Sequence, residues 1–112
     1  MDYVRQRGLA DNMIRRYGAQ AILRRDSGDR SCWAFISAYT PLERMGKIIN
    51  QTDRKALLTP IGLTVDPDSE QDRLVTLDPS SGAELETLRI IAPVGKLAPA
   101  EIVIYWELQV RY

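Results

Sequence analysis

The sequence predicts a mainly β protein: a small antiparallel β-barrel or sandwich of about five or six strands with an N-terminal α-helix. Two observations carry this prediction. The hydrophobic period changes from helical to alternating after Gly18, and short alternating segments then follow one another at close spacing. Turn signals separate these segments, most clearly at 26–29 and 78–82. The 112 residues fit one domain, with the helix over 1–18 and the barrel over 19–112.

Residues 2–17 are predicted to form the helix, because apolar residues recur there at three- and four-residue spacings. Asp2 is the expected N-cap, and Gly18 stands where a residue in the left-handed conformation commonly ends a helix. Arg15 and Arg16 fall in the last turn, where cations suit the helix dipole. A helix this short is marginal in isolation, so we expect it to lie on the barrel.

Six segments are expected to form strands, because apolar and polar residues alternate in them and turn residues bound them. They are 19–25, 31–39, 54–61, 74–77, 85–92 and 102–112. In the second strand Cys32 and Ala34 share the face opposite Trp33 and Phe35. Residues 93–99 are interpreted as a loop. The last strand is long enough to pair with a strand of a neighbouring chain by β-augmentation.

The charge balance and the residue types exclude several classes of function. Fifteen Lys and Arg residues balance fifteen Asp and Glu residues, which rules out disorder by excess charge and disfavours a strongly basic nucleic-acid binder. His is absent, so neither a Ser-His-Asp arrangement nor a histidine metal site can form. The glycines form no phosphate-binding loop. We therefore expect no enzymatic activity, no metal and no cofactor.

The sequence also limits targeting and thiol chemistry. The N-terminus lacks an apolar signal region, and the apolar runs are far shorter than the ~20 residues of a membrane span. We expect synthesis in the cytoplasm and no contact with a membrane. Cys32 is the only cysteine, so no disulfide can form within the chain.

Two features leave alternatives open. Cys32 lies among small residues with no His to activate it, so a buried thiol is favoured over a nucleophile. The aromatic residues Trp33, Phe35, Tyr105 and Trp106 either stack on single-stranded nucleic acid, as in OB barrels, or belong to the core and to interfaces. No run of Lys or Arg interleaves with them, which favours the second interpretation.

Charge is unevenly distributed along the chain. Residues 1–30 carry a net charge of +3, from seven Arg and four Asp, whereas residues 64–86 carry −6, from one Arg and seven acids. Regions of opposite sign let copies of one chain meet head to tail, although two solvated faces would show the same pattern. The residues expected at partner or subunit contacts are Arg15, Arg16, Arg24, Arg25, Asp66, Asp68, Glu70, Asp72 and Tyr105.

The connection over 41–53 is longer than a hairpin turn requires. Long connections of this kind are often functional or mobile. The alternative is that residues 47–51 extend the third strand.

The order of these features resembles that of the small head-closure proteins of long-tailed bacteriophages, also called stopper or head–tail joining proteins. The resemblance spans almost the whole chain, and it rests on a short N-terminal helix followed by several matching stretches. These are 17–25, the aromatic strand 33–39 running into Glu43-Arg44, 53–58, 72–75 and 102–111.

The resemblance implies a structural protein of the virion neck. Such proteins are small β-barrels that form a ring, here expected to hold about six or twelve copies, below the portal and its adaptor. The ring helps retain the packaged double-stranded DNA, which passes through its channel without sequence-specific binding, and it docks tail-terminator or tail proteins. The loop after the second strand would face the channel and help close it, which assigns that role here to Pro41, Leu42, Glu43, Arg44, Met45, Gly46, Lys47 and Asp53.

Two other functions remain open at this stage. The same fold serves tail-completion and adaptor proteins of the same neck. The second alternative is a small nucleic-acid-binding barrel that uses Trp33, Phe35 and the two arginine pairs Arg15-Arg16 and Arg24-Arg25.

Overall fold

The computed structural model describes residues 2–41, 53–63 and 65–112. It has the predicted class: one N-terminal helix followed by a closed antiparallel barrel of six strands. The elements are α1 (Tyr3–Tyr17), β1 (Ala19–Arg25), β2 (Gly28–Ala38), β3 (Arg54–Leu58), β4 (Arg73–Leu77), β5 (Glu84–Leu97), a 3-10 turn (Pro99–Glu101) and β6 (Tyr105–Arg111).

The six strands pair in the order β1-β2-β3-β6-β5-β4, and β4 closes the barrel by pairing with β1. Every described strand therefore has a hydrogen-bonded neighbour on both sides. The prediction that the last strand adds to a sheet of another chain is wrong in this state, because β3 and β5 already occupy both edges of β6.

The core fills the interior of the barrel, as alternation along each strand requires. One residue in two points inward, and the inward residues are almost completely shielded from solvent. They are Ala21, Leu23, Cys32, Ala34, Ala56, Leu58, Leu74, Leu88, Ile90, Trp106, Leu108 and Val110. Large residues on β4, β5 and β6 face alanines and Cys32 on β1 and β2, so the interior is packed with side chains and is not a pore.

Helix α1 lies against the outer face of the barrel, mainly over β2, and Ile14 is its fully buried residue. Asp2 caps it as predicted, since its carboxylate accepts a hydrogen bond of 3.0 Å from the backbone N–H of Arg5. The predicted left-handed conformation of Gly18 is wrong: its φ is −97° and its ψ −162°. Glycine is needed there for space, because a Cβ would collide with the carbonyl oxygens of Ile14 and Ala34.

The strand boundaries differ from the prediction most clearly in β5. The segment 93–99 is not simply a loop, because β5 continues to Leu97 and pairs again with β6 after an irregularity between Ile91 and Gly95. Pro93 has no backbone N–H to donate to the neighbouring strand, which is consistent with its position in the irregular stretch of β5. The strand β6 in turn begins at Tyr105, three residues later than predicted.

Candidate interaction surface

Most of the predicted channel loop lies outside the described residues, and so does the alternative extension of the third strand over 47–51. The loop residues concerned are Leu42, Glu43, Arg44, Met45, Gly46 and Lys47. Its ends, Pro41 and Asp53, are described. Asp53 is 1% exposed, and its carboxylate accepts two hydrogen bonds of 2.8 Å from Arg111 and one of 2.7 Å from Gln109. Asp53 therefore anchors the end of the loop to β6.

Asp72 is the centre of a buried ion cluster. The carboxylate is fully shielded from solvent and accepts a two-pronged contact from Arg25, at 2.9 and 3.0 Å. It also accepts hydrogen bonds from Arg30 at 2.6 Å and from the backbone N–H of Asp68 at 2.9 Å. Arg30 in turn donates to the carbonyl of Val65 at 2.8 Å, so this cluster fastens the acidic loop before β4 to the β1–β2 hairpin.

The pKa of Asp72 is lowered by this arrangement. Burial alone would raise it, but the hydrogen bonds from Arg25, Arg30 and the N–H of Asp68 outweigh the cost of burial. The same contact raises the pKa of Arg25. Asp72 is consequently a charged anchor, with its hydrogen-bonding capacity taken up by the chain itself.

Ion pairs lie at both ends of the barrel core. Arg25, Arg30 and Asp72 stand at inward positions of β1, β2 and the residue before β4, at one end of the core. At the opposite end Arg54 and Glu86 also stand at inward positions, and they form an ion pair at 2.7 Å.

Arg24 lies on the outer face of β1 and holds two carboxylates. It contacts Asp29 at 3.0 Å and Glu84 at 2.7 Å. Glu84 faces outward because Leu85 is an extra residue opposite the Thr76–Leu77 step of β4, which shifts the register as a β-bulge does. The pKa of Arg24 is raised and the pKa values of Glu84 and Asp29 are lowered, each by hydrogen bonding to its partner.

The arginines at the end of the helix make different contacts. Arg15 donates to Asp11 at 2.8 Å and to the carbonyl of Ile61 at 3.2 Å, and its guanidinium lies 5.6 Å from the centre of the Trp33 ring. Arg16 is exposed and lies 5.5 Å from the Tyr17 ring. Arg15 thus fastens α1 to the barrel, whereas Arg16 remains on the free side of the helix.

Three of the four remaining residues expected at contacts lie in the acidic loop, and the fourth lies on β6. Asp66 and Glu70 are exposed in the acidic loop, and Asp68 caps the turn within that loop by accepting the N–H groups of Glu70 and Gln71. Tyr105 is half-buried at the start of β6. The structure thus joins Arg24, Arg25 and Asp72 to partners within one chain. A role for these residues at a contact between chains stays a prediction.

The aromatic residues do not form one stacking platform. Trp106 is 6% exposed and points into the core, although Lys96 reaches its ring at 5.5 Å. Trp33 and Phe35 lie on the outer face of β2, the strand that α1 covers, and both are half-buried. Base stacking needs exposed ring faces, so this arrangement favours a packing role for them.

Cys32 is buried in the core, as the sequence predicted. Burial raises the pKa of its thiol to about 12, and the nearby charge of Arg30 reduces that effect only in part. The thiolate is the reactive form of cysteine, so this group is inert at neutral pH.

Two open grooves lie on the described surface. One, of about 540 Å³, lies beside the β1–β2 turn and is lined by Arg24, Arg25, Asp26, Ser27, Glu70, Gln71 and Arg73. The other, of about 310 Å³, lies between the end of α1 and the turn before β5, next to Trp33. The first groove is strongly charged, which fits ionic ligands better than apolar ones.

A row of arginines escaped the sequence analysis. Arg24, Arg73, Arg89 and Arg111 occupy directly opposed positions on β1, β4, β5 and β6. Their chain neighbours lie in the core, so alternation directs all four outward. Only the strand order reveals this row, because the four residues are far apart in the sequence. We call it the arginine row.

The described residues hold no group of three or more His, Cys, Asp or Glu side chains that could bind a metal ion. No helix in the described part of the chain is long and apolar enough to cross a membrane. No model of a known protein family, no curated protein and no solved structure matched this chain.

Proposed function

We propose that this chain is a structural protein of the neck of a tailed bacteriophage, a head-closure or head–tail connector subunit. In this proposal several copies form a ring below the portal and its adaptor, help retain packaged DNA and dock the tail. The proposal starts from the ordered resemblance along the sequence. The observation that supports it best is a closed six-strand barrel with a helix packed on its outer face, which is the architecture that the resemblance implies.

The surface of the barrel suits contacts through side chains. Its described strands are all paired within the chain, so subunits would meet through outer faces and through the helix. Helix α1 keeps an apolar ridge exposed: Leu9 is 60%, Met13 44% and Tyr17 64% exposed. These residues follow one another at four-residue spacing, beside the buried face, and so form a continuous strip. A continuous apolar strip is typical of a surface that a second protein covers.

The charge of the chain suits a DNA conduit. Each phosphate that a protein neutralises adds affinity that depends on salt, so a wall that lets DNA pass should hold few free cations facing it. The chain has no net charge, and the three arginines of β1 and β2 are all bound to carboxylates of the same chain. Because the barrel interior is filled, the channel in this proposal lies between subunits.

The function is tested by adding purified chain to capsids that contain DNA, portal and adaptor but lack this protein. We expect the chain to bind these capsids, to reduce loss of DNA and to restore attachment of purified tails. Capsids without portal and adaptor are the control and should bind none. Chain that neither binds the complete capsids nor improves DNA retention would contradict the proposal.

The role of the loop after β2 is tested separately. The shortening is made within 42–52, so that Pro41 stays and Asp53 keeps its contacts with Arg111 and Gln109. The barrel should then fold normally and still join the capsid, while the capsids lose DNA after packaging. A Gly-Ser replacement of equal length is the control for loop length. Normal DNA retention with the shortened loop would remove the gating role from the proposal.

A further inference from the structure

The arginine row has carboxylates at both of its ends. On β1, Arg24 is bound to Asp29, which is its opposed residue on β2, and to Glu84. On β6, Arg111 is bound through two hydrogen bonds of 2.8 Å to Asp53, just before β3. Each end arginine thus has its positive charge matched by at least one acid of the same chain.

The two arginines in the middle of the row have no such acid among the residues that the structure describes. Arg73 donates one hydrogen bond, of 3.0 Å, to the carbonyl of Asp72, and the rest of its guanidinium is free. Arg89 is exposed and has neither a hydrogen bond nor an ion pair in the part of the chain that the structure describes. The two residues are directly opposed on β4 and β5.

Directly opposed residues of like charge destabilise an antiparallel pair of strands. Each guanidinium group presents its N–H donors in one plane, which lets it bind a carboxylate or a phosphate by two hydrogen bonds. The pair Arg73–Arg89 therefore carries a cost to the fold that an external anion would relieve.

We infer that Arg73 and Arg89 bind carboxylate groups of an acidic segment of a partner protein. The chain already shows the mode of binding, since the guanidiniums of Arg24 and Arg111 in the same row are each held by carboxylates. The groove of about 540 Å³ beside Arg73 gives such a segment a place to lie.

Surrounding acids distinguish this partner from nucleic acid. A phosphate backbone that followed the row would meet the exposed carboxylates of Asp29 and Glu84 at one end. Glu70 lines the groove beside Arg73 and would face the same backbone. A continuous polyanion is repelled at these points, whereas one or two carboxylates fit between them. This inference goes beyond the neck proposal and does not depend on it.

The test uses as its probe a fluorescent ten-residue peptide of Gly and Ser with two adjacent central glutamates, with binding measured by anisotropy at low and at moderate salt. Each of the two arginines forms charge-assisted hydrogen bonds, so the double variant Arg73→Gln, Arg89→Gln should bind at least about tenfold more weakly. The matched control is Arg5→Gln, Arg7→Gln, which removes the same charge from α1. The control should change affinity by less than about threefold.

A measurement on the unaltered protein makes the test independent of how the variants fold. Addition of the peptide should shift the side-chain Nε–Hε resonances of Arg73 and Arg89 more than those of Arg5 and Arg7. No binding by the unaltered chain, or an equal loss in the control variant, would overturn the inference. So would a single-stranded DNA of twenty nucleotides that binds more tightly than the peptide and loses that binding in the double variant.

Discussion

The guanidinium of Arg25 and the carboxylate of Asp72 form a two-pronged ion pair, at 2.9 and 3.0 Å, at one end of the barrel core. The two residues come from the basic and the acidic region of the sequence. Arg30 completes the cluster at 2.6 Å from the same carboxylate. The charge distribution along the sequence predicted that oppositely charged surfaces of two chains would attract each other. In the structure, residues of the basic and the acidic region also meet within one chain, where they join the acidic loop to the β1–β2 hairpin.

Replacing Asp72 with Asn should lower the free energy of unfolding by about 3 kcal/mol, because it leaves two half-buried arginines without their counter-charge. The measurement is equilibrium unfolding in urea. Asp66→Asn is the matched control, since Asp66 is an exposed acid of the same loop, and it should change stability by less than about 0.5 kcal/mol. Equal stability of the two variants would contradict the structural role of the cluster.

The Asp72 cluster also predicts how stability depends on pH. The pKa of Asp72 is lower in the folded chain than in the unfolded chain. Its contribution is therefore present above the unfolded pKa of about 4, and it is lost as the pH falls from there through the folded pKa. The stability difference between the natural chain and Asp72→Asn should shrink below about pH 4. A difference that stays constant down to about pH 2 would show that the charge of Asp72 has no such role.

Replacing glycine with alanine should change the stability of the fold in opposite directions at two positions of the N-terminal region. A Cβ at Gly18 would collide with the carbonyl oxygens of Ile14 and Ala34, so Gly18→Ala should destabilise the fold by about 2 kcal/mol or more. Gly8 lies within α1 with open space around it, so Gly8→Ala should stabilise by about 0.5–1 kcal/mol. Thermal unfolding of both variants is the measurement. If Gly18→Ala is as stable as Gly8→Ala, the close approach of α1 to β2 is wrong.

Cys32 should be protected from thiol reagents while the chain is folded. The thiol is buried and its pKa is raised to about 12, so almost no thiolate forms at neutral pH. A colorimetric disulfide reagent at neutral pH should leave the native protein unmodified and react completely in guanidinium chloride. Rapid modification of the native protein would show that this face of β2 opens to solvent.

The alternation of apolar and polar residues predicted which side chains of a regular strand point into the barrel, but it did not predict the register between strands. The alternating residues Trp106, Leu108 and Val110 of the last strand all face the core, as the pattern over 102–112 required. Alternation fails where a strand is irregular, which is why the continuation of β5 to Leu97 was missed. A Pro within an apolar stretch indicates a loop as readily as it indicates an irregular strand.

The arginine row could not be predicted from the sequence at all. Its pairs, such as Arg24 with Arg73 and Arg89 with Arg111, depend on strand pairings that are remote in sequence. The same holds for Asp53, which sequence reasoning assigned to a channel loop and which the structure shows to be a buried partner of Arg111. Local patterns determine which way a side chain points. The closed strand order determines what it meets.

The most direct test of the neck proposal is the number of copies that assemble on a portal–adaptor complex. The portal and adaptor proteins would be those encoded beside the gene for this chain, and the purified mixture would be weighed by native mass spectrometry. We expect a discrete complex that has gained a ring of about six or twelve copies of the chain. A chain that remains monomeric and adds no mass to the portal–adaptor complex would contradict the account.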